Sequence, residues 1–443
     1  MPSFPPALDA FYTTQRVNQS LVLFRGPVDL VDGATRETCR GEILLDWLPT
    51  PTVDCRVWGS VSKLGIQAVM SPESLQADPS TPRRRVPPQL KTPGRRSGTG
   101  TSSFEASFRL PRLECGDGSA LLSHALIHIG NFPLFIGRPI SWPDGSIVGA
   151  RLFFEGGGWR ITLDHAAGAI ELDRTLREHG GFALTHIARV ERANGDKFSV
   201  AQLQELVEAF TYFCWLCAES KCGPLLPVGF NDRGRAVWSR WDAPWIEPYP
   251  AVATWLDSTH AGEAEALFPA FLRRFEDPYW RQVLRHGIHY LLEAGRPQTL
   301  ERAVLMAQLL LEAVSYSWLV EEVRHRTHDG FESHTAAENI RAMLLDMGIP
   351  IEVPTRLKGL ATTRTKSGHL ADGPLALVLM RNEVVHFRAA RMTTDYASLQ
   401  DAWLLGAWYS ELALLRVCGF QGLYRSRLSE NVWTGAVEKV PWM

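Results

Sequence analysis

Short runs in which apolar and polar residues alternate recur through the first 198 residues. They are Ser20–Phe24, Glu42–Trp47, Cys55–Ser60, Phe104–Leu110, Leu121–Ile129, Arg151–Glu155, Trp159–Asp164 and Ala183–Glu191. A period of two sends successive side chains to opposite faces, so each run predicts a strand. Turn-forming residues separate the runs, among them Gly156-Gly157-Gly158 and Asn194-Gly195. Many short strands with few helical periods predict a β-rich domain over residues 1–198, either a sandwich or an open barrel. The glycine triplet lacks the Lys-Ser/Thr of a phosphate loop, and between strands it reads as a hairpin turn.

From Ser199 the pattern turns helical. Ser199-Val-Ala-Gln202 has the form of a capping box and opens a helix to about Cys217. Residues 199–260 read as this helix and a Trp-rich connector, in which Leu226–Phe230 and Ala236–Trp241 flank the turn Asn231–Gly234. Trp238, Trp241, Trp245 and Trp255 crowd this Pro-broken stretch. Exposed, they would stack bases; buried, they would pack a domain junction, the ordinary use of large aromatic area. Beyond about Ala264, helix starts stand at Asp277-Pro278, Thr335-Ala-Ala-Glu338, Asp372-Gly-Pro374 and Thr394 or Asp395, and stops at Gly295, Gly348 and Gly419. Four or five apolar helices in succession predict an antiparallel bundle over residues 261–443. The fold class is therefore α+β.

One stretch fits neither period. Residues 71–103 carry Arg83, Arg84, Arg85, Lys91, Arg95 and Arg96 among Pro, Gly, Ser and Thr. Such a composition buries too little apolar area to fold alone and predicts a flexible basic insert. It is either a solvated loop or an arm that touches RNA or an acidic partner.

A chain of 443 residues exceeds one ordinary core. Its net charge of -2 supplies no global field toward nucleic acid, so a nucleic-acid site must be a local groove. Met1-Pro-Ser-Phe-Pro-Pro lacks the charged-then-apolar form of a signal peptide. The longest apolar segment, Ala303–Val320, is interrupted by Gln308, Glu312, Ser315 and Ser317, which suits a core helix better than a span. The expectation is a soluble, cytoplasmic protein with no membrane partner. Seven dispersed cysteines fit thiols in a reducing compartment. Cys214-x-x-Cys217 with Cys222 offers three thiolates, but no fourth ligand stands nearby and the run is apolar and helical. No metal or other cofactor is expected.

The sharpest candidate chemistry is Arg381-Asn382-Glu383-Val384-Val385-His386. A guanidinium can hold a scissile phosphate, and an imidazole can move a proton near neutrality. The spacing alone decides nothing, since Arg281–His286 and Arg174–His179 share it. The setting carries more: the apolar run Leu375–Met380 leads into Arg-Asn-x-x-x-His, with apolar helices before it (Leu300 to about Arg324) and after it (about Tyr396 to Cys418).

Over roughly the last 180 residues that arrangement resembles the HEPN ribonuclease superfamily, and within it the ApeA-like branch of abortive-infection, anti-phage defence proteins. Gly181–Glu191 is also similar to the segment that closes the β-rich part of such proteins. The resemblance implies an all-α HEPN bundle with Arg381, Asn382 and His386 as the catalytic motif. It implies a metal-independent endoribonuclease, toxic to its host cell, whose composite site forms across a homodimer or dimer-based oligomer. The substrate would be RNA, tRNA among the candidates, and the β-rich half would sense a phage-derived trigger. Some related families carry a Tyr two residues after the His; Arg388 stands there in this chain, so activity depending on that Tyr is not carried over.

On a continuous helix Asn382 and His386 share a face, while Arg381 lies about 140° round from His386. One helix therefore does not aim both at one atom, which is what a composite site across a two-fold axis would remedy. Glu383 reads as a helper or a solvated carboxylate. Gln308, Glu312, Ser315 and Tyr316 form a polar stripe that either lines the groove or is the bundle's exposed face. The alternative readings are a non-catalytic HEPN dimerisation or RNA-binding scaffold, and a carbohydrate-active β-sandwich. The latter is weakened because only Glu155 and Asp164, flanking a hairpin, suggest a carboxylate pair.

Overall fold

The computed structural model describes residues 4–32, 35–60, 69–70, 103–110, 112–243, 245–249, 254–296, 298–363, 370–386, 396–430 and 433–443. Residues 71–102 of the basic insert, with Arg83, Arg84, Arg85, Lys91, Arg95 and Arg96, lie outside the described residues, and Ser103 already belongs to a strand. The chain divides into two compact units, β-rich and helical.

The first unit takes residues 1–134, 138–211 and 221–251. Strands β1 (Leu21–Asp32), β2 (Thr35–Asp46), β3 (Thr52–Ser60), β4 (Val69–Met70) and β5 (Ser103–Leu110) form an antiparallel sheet in the order β4-β1-β2-β3-β5. On β2 Ile43, Leu44 and Leu45 are all buried, while on β3 Val53, Cys55 and Val57 are buried at every second position. The alternation in the sequence is thus one face turned inward.

The second sheet has eight strands. They are β6 (Arg112–Gly116), β8 (His124–Gly130), β9 (Arg138–Ser141), β10 (Ile147–Gly156), β11 (Trp159–His165), β12 (Leu184–Arg192), β14 (Gly223–Phe230) and β15 (Ala236–Asp242), with the short β7 (Leu121–Leu122) and β13 (Phe198–Ser199) outside it. The order is β6-β15-β14-β8-β12-β11-β10-β9, and β7 pairs with β13 separately. Val28 and Ile43 of the first sheet share one apolar cluster with Leu113, Leu225 and Trp241 of the second. The turn at Gly157 and Gly158, both at positive φ, joins β10 to β11 as the glycine triplet predicts.

Two features depart from the sequence expectations. A helix, α1 (Ala169–His179), connects β11 to β12 and buries Ala169, Leu172 and Leu176 on one stripe. It starts at left-handed Gly168 with no side-chain cap, so the usual start signal is missing. The connector hairpin, β14 and β15, lies inside the eight-stranded sheet, and the contacts divide the chain near Ala251 instead of at residue 198. Its pairing with β8 and β6 joins residues about a hundred positions apart, beyond the reach of local periodicity. Trp238, Trp241 and Trp255 are buried, while Trp245 stays exposed beside Lys221.

Helix α2 (Val200–Ala218) begins with the expected box: the Gln202 N–H donates to Ser199 Oγ at 3.2 Å, and the Ser199 N–H to Gln202 Oε1 at 3.0 Å. Cys214 and Cys217 are buried within it.

The second unit takes residues 135–137, 212–220 and 252–443. Its helices are α3 (Gly262–Glu276), α4 (Pro278–Gly295), α5 (Leu300–Tyr316), α6 (His328–Glu332), α7 (Ala336–Met347), α8 (Lys358–Ala361), α9 (Gly373–Val385) and α10 (Tyr396–Val417). The α5 helix packs against α4, α7, α9 and α10 and runs on into a π-helical turn, Ser317–Glu322. Leu300–Glu322 is long and apolar enough to cross a membrane, but 61% of its most apolar window is buried in the bundle, as befits a core helix. Gln308 and Ser315 are buried too, so the polar stripe is not simply the exposed face.

Asp277 caps α4 by accepting from the Tyr279 and Trp280 N–H groups at 2.9 and 3.0 Å. Thr335 and Glu338 form the reciprocal capping box of α7, which ends at left-handed Gly348. Gly419, at φ 68°, follows the end of α10; Thr394 and Asp395 lie outside the described residues.

Candidate functional site

The start of α9 is fixed on three sides. Asp372 accepts from the Leu375 N–H at 3.0 Å and holds the Arg341 guanidinium of α7 through two hydrogen bonds. The Gly373 N–H donates to Ile351 O at 2.7 Å. Gly373 also lets Tyr409 of α10 approach: a Cβ there would lie 2.2 Å from the phenol oxygen. Farther along, Ala376, Leu377 and Met380 are buried. Gly406 of α10 brings Leu377 and Ala307 of α5 together; a Cβ on it would stand 2.9 Å from the Ala307 Cβ. The carrier of the Arg-Asn-x-x-x-His motif is therefore a rigidly seated helix.

Its last turn rises out of the core. Arg381, Asn382 and Glu383 are half-buried and His386 is exposed. Arg381 Nη1 donates to Asn382 Oδ1 at 3.1 Å, and the His386 N–H donates to Asn382 O at 3.0 Å. Asn382 thus touches both motif partners, through its amide on one side and its carbonyl on the other. Helix geometry ends at Val385, with His386 as the cap residue at φ -111° and ψ 89°. The shared helical face expected for Asn382 and His386 does not hold at this last position, because the ring hangs from a non-helical Cα. No hydrogen bond or ion pair joins Arg381 to His386 among the described residues.

Glu312 lies on α5, which packs against α9, and accepts from Gln308 Nε2 at 2.8 Å. The two chance pairs have structural uses. Arg281 Nε donates to Phe275 O at 2.8 Å, and Arg174 pairs with Glu171 on α1. Among the described residues, no three His, Cys, Asp or Glu side chains are grouped to hold a metal ion.

A second feature went unseen in the sequence. Arg273, Arg274 and Arg416 line a cleft of about 500 Å³ within the helical unit. Arg273-Arg274 reads locally as the basic last turn of a helix, and Arg416 stands more than a hundred residues away on α10, so only the fold joins them.

Residues 117–252 match the family model for the YopA central domain, and residues 277–439 that for the YopA C-terminal domain. The chain is 22% identical over 451 residues to the SPbeta prophage-derived uncharacterized protein YopA of Bacillus subtilis (strain 168), an alignment covering 98% of each chain. No solved structure matches. The motif helix and Arg416 fall inside the C-terminal match; Arg273 and Arg274 lie just before it.

Proposed function

We propose that this chain is a cytoplasmic, metal-independent endoribonuclease of the HEPN type, with Arg381, Asn382 and His386 in the site and the β-rich unit as its regulator. The observation that carries the reading is the last turn of α9. A partly exposed guanidinium, an amide that accepts from it and an exposed imidazole, joined to Asn382 through the backbone alone, stand together at the end of an otherwise packed helix.

RNA supplies the nucleophile, its 2′-OH. His386 removes or returns the proton, and Arg381 stabilises the extra negative charge on phosphorus. The 2′ oxygen bonds to phosphorus as the 5′ oxygen leaves, so the products are a 2′,3′-cyclic phosphate and a 5′-hydroxyl. Because Arg381 and His386 are not paired within one chain, the reading places them opposite one another in a homodimer. The prophage origin of the YopA relative suits a part in conflict between phage and host, with RNA as the target and a phage-derived molecule as the trigger.

The second reading is a bundle that binds RNA or dimerises without cleavage, favoured by the departure of His386 from the helix. Purified protein incubated with total tRNA and EDTA separates the two. Cleavage leaving cyclic phosphate ends, lost in His386→Ala, supports the nuclease; RNA binding without cleavage supports the scaffold.

A further inference from the structure

The cleft beneath the π-helical turn has the chemistry of a small-anion site. Its walls come from the last turns of α3 and α10, the cap of α4 at Asp277, and Trp318 of the π turn. Single π turns inside α-helices are rare and gather at functional sites. This one places both Trp318 and Glu322 at the cleft end of α5. Trp318 Nε1 donates to Asp346 at 2.6 Å, which fixes the indole in the wall.

The three arginines are not equivalent. Arg274 is fully used: Nη1 donates to Glu322 Oε2 at 3.0 Å, Nη2 bonds the other Glu322 oxygen, and Nε donates to Val417 O at 3.0 Å. Those bonds hold the Glu322 carboxyl below its ordinary range, so Arg274 and Glu322 form a neutral wall. Asp277 Oδ1 caps α4, and its carboxyl group remains an acidic part of the lining that Arg273 and Arg416 must outweigh. Arg273 is exposed; Arg416 is half-buried, and its Nε is buried with no hydrogen-bond partner among the described residues, its guanidinium 5.7 Å from the centre of the Trp442 ring.

A cation at a helix C-terminus is favoured by the helix dipole, which explains why arginines stand there. It does not explain Arg416 Nε. One N–H of a charged group, withdrawn from water without an acceptor, carries a cost that a ligand oxygen in the cleft would relieve. Cys418, also in the lining, is no nucleophile, since burial pushes its thiol up to about 12.

We propose that Arg273 and Arg416 clamp the phosphate of a small phosphorylated ligand, of the size of a nucleoside mono- or diphosphate, in this cleft. The guanidinium forks match phosphate oxygens in geometry as well as charge. A volume of about 500 Å³ lies in the range of small-molecule sites. The site is separate from His386 and does not depend on catalysis there.

The test is calorimetric titration of the full chain with AMP, ATP, inorganic pyrophosphate and a single-stranded RNA bearing a 5′-hydroxyl. At least one small phosphate should bind with a Kd of roughly a millimolar or tighter and weaken as salt rises. Arg416→Gln and Arg273→Glu should each weaken it by roughly tenfold, about one charge-assisted hydrogen bond. Arg174→Gln, on α1, should bind as the parent does. Arg273 is exposed, so its variant decides the matter should Arg416→Gln fold poorly. Binding unchanged in Arg273→Glu, no binding by any small phosphate, or binding by the RNA alone would overturn the assignment.

Discussion

Glu219 and Glu411 meet on a single guanidinium. Arg427 donates from Nε to Glu411 Oε1 at 2.7 Å and bonds Glu219 through Nη2, with both carboxylates fully buried. One cation facing two buried carboxylates leaves an excess negative charge unless one acid keeps its proton. Burial pushes the Glu411 carboxyl well above its ordinary range, and Glu219 adds to the rise against the pull of Arg427. The knot fixes the chain just after α2, where Glu219 takes φ 44°, against α10. Gly295 at the end of α4 leaves it room, since a Cβ there would lie 2.5 Å from Glu219 Oε2.

Removing the cation should therefore cost far more than neutralising an acid. Arg427→Met is expected to destabilise the helical unit by roughly 3–5 kcal/mol, the usual penalty for orphaning a buried charge. Glu411→Gln keeps the shape of the protonated acid and should be tolerated. With the folded pKa raised, the stabilisation from Glu411 is complete below its unfolded value of about 4.3 and is lost as pH rises through the folded value. Urea unfolding at pH 5 and pH 9 should show the parent losing stability with pH more steeply than Glu411→Gln. Equal slopes would show that Glu411 is ionised throughout.

The β-rich unit holds the opposite case. His128 accepts from the Tyr12 N–H at Nε2, 2.9 Å, and its Nδ1 lies 3.1 Å from Leu226 O, a pairing that suits the neutral ring. Protonation would set a second N–H against that of Tyr12. Burial lowers its pKa to about 4. The stabilisation is present above the unfolded value of about 6.5 and is lost as pH falls through 4, some 3 kcal/mol in all. The ring signals of His128 in a proton NMR titration should stay unshifted from pH 7 to pH 5. A midpoint near 6.5 would mean the ring is solvated.

The seat of the motif helix can be tested apart from the motif. Asp372→Ala removes the cap of α9 and the partner of Arg341, a loss of about 1–3 kcal/mol. Asp372→Asn retains a capping oxygen and should recover part of it. If His386 works from a fixed platform, RNA cleavage should fall in the order parent, Asp372→Asn, Asp372→Ala, in step with thermal stability. Full cleavage by a destabilised Asp372→Ala would uncouple the helix start from the site.

How much of this was legible in the sequence follows from the range of each interaction. Caps are local, so Ser199, Asp277, Thr335 and Asp372 all stand where their neighbours in the chain place them. Alternation at Cys55 and Val57 is likewise local, and it foretold their buried face. The sheet position of β14 and the meeting of Arg273 with Arg416 depend on contacts between distant segments, for which a single sequence holds no signal. Arg381 to His386 falls between these cases: the residues were visible, but the end of the helix at Val385 was not, because nothing in Glu383-Val384-Val385-His386 is a stop signal.

That early end makes the composite site testable by mixing. If Arg381 of one protomer works with His386 of its partner, Arg381→Ala and His386→Ala should each be inactive alone. In a mixed dimer, one site carries both substitutions and the other carries neither. Random pairing puts half the dimers in the mixed state with one of two sites intact, so activity should return to about a quarter of the parent's. Cleavage assays in EDTA on the co-expressed mixture supply the measurement, and mixed dimers isolated through two different affinity tags should reach about half of the parent's activity. If the pair acts within one chain, every site in the mixture carries a substitution and no activity returns. That result, with an intact dimer by mass, would move the site into a single protomer, where Asn382 is the residue joining the two.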